Sequence, residues 1–174
     1  MQTFIRLQLA VVATILLASV TAAAADAPAK SLKGDAYYFS LGQMYDVQAY
    51  QHAKMLKRLS ANGAAIPLDV LAEHLAAIRA SVAAADKAYA RLSAATMKKP
   101  ETAKKLDEIK QFNMKILDLC KSLEKTEERE AQAAAVSSIQ QHLTGAYQSA
   151  GNAASGQDLI TEQWDSPGNG VFSD

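Results

Sequence analysis

The stretch LAEHLAAIRASVAAADKAYARL, residues 71–92, decides the fold. Leu71, Leu75, Ile78, Val82, Ala85, Tyr89 and Leu92 recur at steps of three and four. That spacing lays one apolar stripe along one face of an α-helix, whereas a half-buried strand would alternate at every second residue. The intervening positions are mostly alanine, lysine, arginine and glutamate, strong helix formers, with His74, Ser81 and Asp86 among them. A helix with a single apolar stripe must bury it against other helices, which the neighbouring segments have to supply.

Upstream, Pro67 stands where a first-turn proline starts a helix, and Asn62-Gly63 marks a stop. The second helix is therefore expected from about residue 67 to 95, and the first from about 35 to 59. Lys98-Lys99-Pro100 closes the second helix with cations at the negative end of its dipole. A third helix begins near Pro100. No Gly or Pro interrupts residues 101–143, yet Lys125 to Glu130 is wholly polar. Thr126 followed by Glu127, Glu128 and Glu130 reads as a capped helix start with acids in its first turn. A reversal there, with a fourth helix to about residue 150, gives helices of matched length. The expected fold is all-α, an up-down-up-down antiparallel four-helix bundle over residues 26–150. Residues 151–174 are rich in Gly, Ser and Asn and read as a loose tail, with Leu159, Ile160 and Trp164 as one apolar patch able to dock.

The first 25 residues are a different kind of text. Arg6 is their only charge, an apolar run follows from Leu7 to Val20, and Ala22 to Ala25 supply small residues just before Asp26. This is the pattern of a cleavable signal peptide, and the run falls short of the ~20 residues that span a bilayer. The expectation is an exported protein, periplasmic or extracellular, with no stable membrane insertion after cleavage. Of 18 basic and 18 acidic residues, cleavage removes Arg6 alone, leaving 17 against 18 and a charge of about −1. A nearly neutral chain without a basic stripe is a poor partner for nucleic acid. Cys120 is the single cysteine, so no internal disulfide forms; the thiol is buried, metal-bound or paired with another chain.

On the remaining helices the spacing predicts three further seams. The first helix offers Tyr38, Leu41, Tyr45, Gln48, His52, Met55 and Leu59; the third Leu106, Ile109, Asn113, Ile116, Cys120 and Leu123; the fourth Val136, Ile139, Leu143, Ala146 and Ala150. Gln48, His52 and Asn113 are polar in these apolar rows, and a buried polar group without a partner costs ~1–3 kcal/mol. Counting from the turns near residues 63 and 98 puts His52, His74 and Cys120 within about one helical turn of each other. Imidazole and thiolate suit copper or zinc, so these three are the candidate metal ligands. The bland reading has His52 bonded to Gln48 or a tyrosine, His74 solvated and Cys120 a small core hydrophobe. His142 falls level with Asn113 and reads as a rim residue.

Other chemistries lack their residues. Glu73 and His74 are adjacent, where a di-iron bundle needs a Glu three positions before its His. One cysteine excludes C-x-x-C-H haem attachment, and neither a phosphate loop, a dinucleotide fingerprint nor a nucleophile elbow appears. The sequence offers no recognisable nucleophile–base or acid–base pair.

Tyr50-Gln-His-Ala-Lys to Leu59, with Glu73-His74-Leu-Ala-Ala-Ile78-Arg79 through Val82 to Lys87, resembles exported bacterial four-helix-bundle proteins of unknown function. Their first two helices carry histidines, and the second reads E-H-x-x-x-I-R. The resemblance covers about residues 50–87 and implies the fold and export. Members with more histidines and cysteines imply metal handling; here His52 and His74 stand at the matching positions. The expected function is a non-enzymatic binding or interaction protein, with a protein partner or second copy of the chain as candidates. The alternative is a periplasmic copper- or zinc-binding bundle.

Overall fold

The computed structural model describes residues 34–156. They form α1 (Asp35–Ser60), α2 (Leu68–Tyr89), a short α3 (Ala94–Met97), α4 (Pro100–Leu123) and α5 (Arg129–Ser155), with no strand among the described residues. The expected leader with its cleavage point near Asp26, and the expected docking of Trp164, lie outside the described residues.

Local chemistry sets the boundaries. Beyond α1 the turn needs φ 82° at Gly63, a left-handed conformation that glycine adopts without steric cost. Pro67 precedes the first turn of α2, and Pro100 opens α4 where its missing N–H is no loss. The chain reverses between Leu123 and Arg129, within the polar gap. Thr126 does not cap α5, however. Its hydroxyl donates to the Ser122 carbonyl at 2.9 Å, closing α4, and Glu128 precedes α5 without a side-chain cap.

Two boundaries depart from the expected ones. α2 ends at Tyr89 rather than near residue 95. The Asp35 carboxylate, at the start of α1, accepts from the Ser93 N–H and hydroxyl, both at 2.7 Å, and from the Thr96 hydroxyl at 2.6 Å. Ser93 in turn caps α3, its oxygen accepting from the Thr96 N–H. A tertiary anchor thus overrides the local preference for a longer helix. α5 continues to Ser155 because Ala153 and Ala154 pack into the core. Gly151, the first residue of the expected tail, lies inside this helix, where an added Cβ would stand 3.2 Å from Gln43 Nε2.

The protein is a helical bundle. α1 packs extensively on α2 and α5, and α4 on α5, whereas α2 and α4 meet over few residues. At one end, fully buried Gln132 joins both connections. Its Oε1 accepts from the Ile66 N–H at 2.7 Å, and its Nε2 donates to the carbonyls of Ile66 and Thr126 at 3.1 and 2.7 Å. At the other end Asp35 holds Ser93 and Thr96.

The seams of α2, α4 and α5 are buried where the spacing put them, with Leu106 half-buried. The seam of α1 is displaced by one residue throughout. Phe39, Gly42, Asp46, Ala49, Ala53, Leu56 and Ser60 face inward. Gln48 is exposed, Met55 is 45% exposed, and Tyr38, Leu41, Tyr45, His52 and Leu59 are half-buried. The larger apolar residues give way to small ones because neighbours come close. A Cβ on Gly42 would stand 2.2 Å from Cε1 of Tyr89, so only glycine fits beside that ring.

Candidate functional site

The bundle interior holds two apolar clusters. One gathers Leu56, Leu75, Ile78, Ile116, Cys120 and Leu143; the other Phe39, Tyr89, Leu92, Ile109, Ala146 and Ala150. Along α1 the gap between them is occupied by Gln43 and Asp46, and along α4 by Asn113, all buried. The Tyr89 hydroxyl donates to Asp46 Oδ2 at 2.8 Å, Asn113 Nδ2 donates to Asp86 Oδ1 at 2.7 Å, and Gln43 Nε2 donates to the Tyr147 carbonyl at 3.3 Å. Asp46 Oδ1, Gln43 Oε1, Asn113 Oδ1 and Gln140 Nε2 are buried with no hydrogen-bond partner among the described residues. Buried groups of this kind are costly, and internal water commonly satisfies them.

Burial pushes the Asp46 carboxyl up to about 8, against the Tyr89 hydrogen bond and with help from the Asp86 charge. Near neutral pH Asp46 is therefore mostly the uncharged acid, and its proton turns one oxygen from acceptor into donor. Tyr89 is pushed well above its ordinary value by the same burial and by the Asp46 charge. It stays a phenol.

Beside this layer the sparse contact between α2 and α4 leaves a cavity of about 460 Å³. Tyr89, Ala90, Met97, Leu106 and Ile109 give it apolar walls, and Asp86 and Lys110 add one charge of each sign. Tyr89 links cavity and layer, since its ring lines the one and its hydroxyl bonds Asp46 in the other. Asn113 reaches the lining through Asp86. The arrangement can hold a small apolar body while polar groups fix its orientation.

Of the sequence-predicted metal ligands, the structure brings His52 and His74 together, Nδ1 to Nδ1 at 3.1 Å across α1 and α2. Both are half-buried. Burial and the neighbouring His74 hold His52 below the ordinary histidine value, with the Glu73 charge working the other way. Cys120 is 0% exposed within the Leu75–Ile116–Leu123 cluster. Burial pushes its thiol up to about 11, with Glu124 helping and Arg79 opposing. No group of three or more His, Cys, Asp or Glu side chains stands in metal-holding proximity among the described residues. His142 is half-buried against the Phe112 ring, centroids 5.8 Å apart, next to Asn113 in height.

Sequence reasoning found Asn113 and missed Gln43, Asp46 and Gln140. The available signal was Asp46 itself, a charge at i+7 from Phe39 and i+4 from Gly42 on a row of small residues. In comparisons with protein-family models, curated proteins and solved structures, the chain matches none.

Proposed function

We propose that this chain is an exported, non-enzymatic binding protein, an up-down-up-down four-helix bundle whose ligand occupies the cavity between α2 and α4. The observation that carries the reading is the opening itself. Three of the helix pairings are close, and the fourth is held apart over a space of about 460 Å³. A volume of this size, walled mainly by apolar side chains with a few polar groups, is what small-molecule sites share. The occupant has an apolar body, which lies on Leu106, Ile109 and Met97, and a polar end directed to Asp86 or Lys110.

Several features support the rest of the reading. The two connections bound by Gln132 share one end of the bundle and the Asp35 anchor marks the other, as alternating helices require. The titratable pair is closed off, with Asp46 at 0% and Tyr89 at 5% exposure, which suits a fixed wall better than proton exchange with a substrate. Export rests on the leader of residues 1–25.

Native mass spectrometry of the exported protein tests the reading. A small-molecule adduct of reproducible mass is expected, lost in Ile109→Trp, which fills the cavity. A bare chain in every preparation, or an adduct that Ile109→Trp leaves in place, overturns it.

A further inference from the structure

The His52–His74 contact lies apart from the cavity and is unused by the reading above. Two Nδ1 atoms at 3.1 Å imply a shared proton, one neutral ring donating N–H and the other accepting. The ring centroids are 5.3 Å apart and the rings are inclined at 55°. The contact joins α1 to α2, and both side chains keep partial access to solvent.

We propose that His52 and His74 form a two-imidazole site for a divalent transition-metal ion, Cu(II) in preference to Zn(II), bridging α1 and α2 through their Nδ1 atoms. The geometry is the first ground. Imidazole nitrogens bind such ions at ~2.0–2.1 Å, and two of them at right-angled to tetrahedral positions stand about 2.8–3.4 Å apart. The observed 3.1 Å falls inside that interval, so the ion replaces the bridging proton with a swing of the rings and no backbone movement. The proton balance is simple. The donating ring moves its hydrogen from Nδ1 to Nε2, both rings stay neutral, and both Nδ1 lone pairs turn to the metal.

Accessibility and charge are the second ground. Both rings are half-buried and so open to an ion arriving from solvent, and Glu73, next to His74 in the chain, adds a negative charge nearby. Cys120 is not a ligand here. It is sealed in the apolar core at 0% exposure, and no third His, Cys, Asp or Glu among the described residues joins the pair. With nitrogen donors alone, the order of divalent affinities places copper above zinc, and the remaining coordination positions stay with water.

The test uses the mature full chain from Asp26, titrated with copper(II) sulfate alone and followed by electron paramagnetic resonance and calorimetry. One Cu(II) per chain is expected, with hyperfine splitting from two nitrogens. His52→Ala and His74→Ala should each weaken binding at least tenfold, roughly 1.4 kcal/mol or more. Cys120→Ser and His142→Ala should leave it unchanged. At about 100 times Kd copper should raise the melting temperature of the wild type by several degrees and that of the double histidine variant by none. Circular dichroism establishes that each variant is folded, and His52→Gln, which keeps bulk and polarity, repeats the test without emptying the position. Wild-type binding equal to that of the double variant overturns the proposal, as does a sulfur signature that disappears with Cys120→Ser.

Discussion

Asp46 carries the largest single consequence at the scale of one residue. Its carboxyl stands at about 8 in the fold and near its ordinary value of 3.8 in an unfolded chain. Between those values the folded state holds a proton that the unfolded state has released, so stability falls as pH rises. From about pH 4 to about pH 8 this group alone lowers stability by up to ~1.4 kcal/mol per pH unit, and outside that window its contribution is flat. Denaturant melts at pH 5 and pH 8 should show the lower midpoint at pH 8. Asp46→Asn keeps the shape and a hydrogen-bonding donor, and should raise the midpoint at pH 8 while flattening the slope. A wild-type profile that rises from pH 5 to pH 8, unchanged by the substitution, would mean that Asp46 is ionised in the fold.

Gly42 and Asp35 show what single positions do for whole helices. The Tyr89 ring leaves no room for a Cβ at Gly42, so Gly42→Ala must push α1 and α2 apart or turn the ring off Asp46. Overpacking of this kind costs about 1–3 kcal/mol, which should appear as a melting temperature several degrees lower. Asp35→Ala removes three accepted hydrogen bonds that hold Ser93 and Thr96. Amide exchange should then quicken across α3 and the last turn of α2 while the Leu75–Ile116 core stays protected.

The same elements show why the sequence was readable in some places and opaque in others. On α2, α4 and α5 most of the large apolar residues are inward, with Leu68, Met114 and Leu117 exposed, and the regular rows from Leu71 to Tyr89, Ile109 to Leu123 and Val136 to Ala150 locate the seam. On α1 the inward row is Gly42, Asp46, Ala49 and Ala53, and the larger Tyr45, His52 and Met55 lie to its side. Periodicity gives the step of a seam but not its phase when small residues face in. The one-residue displacement hid Asp46 and Gln43, and with them half of the polar layer. Counting heights from the turns still brought His52 beside His74, because height depends on helix length and not on phase. The cavity was illegible, since it arises from the spacing of α2 and α4, a property no single seam records.

At the scale of the whole molecule, an expected leader is followed in the chain by a helical bundle with one opened seam. The leader predicts that protein recovered outside the cytoplasm begins near Asp26, and intact mass measurement checks it; a full-length chain held in the membrane would contradict export. The cavity beside Tyr89 is the central claim. Chemical-shift mapping of isotope-labelled protein, titrated with six-carbon alcohols, amines and carboxylates, tests it most directly. Saturable shifts on Tyr89, Ala90, Met97, Leu106 and Ile109, abolished by Ile109→Trp, are the predicted result. Shifts that never saturate, that fall on another part of the bundle, or that persist in Ile109→Trp would contradict it.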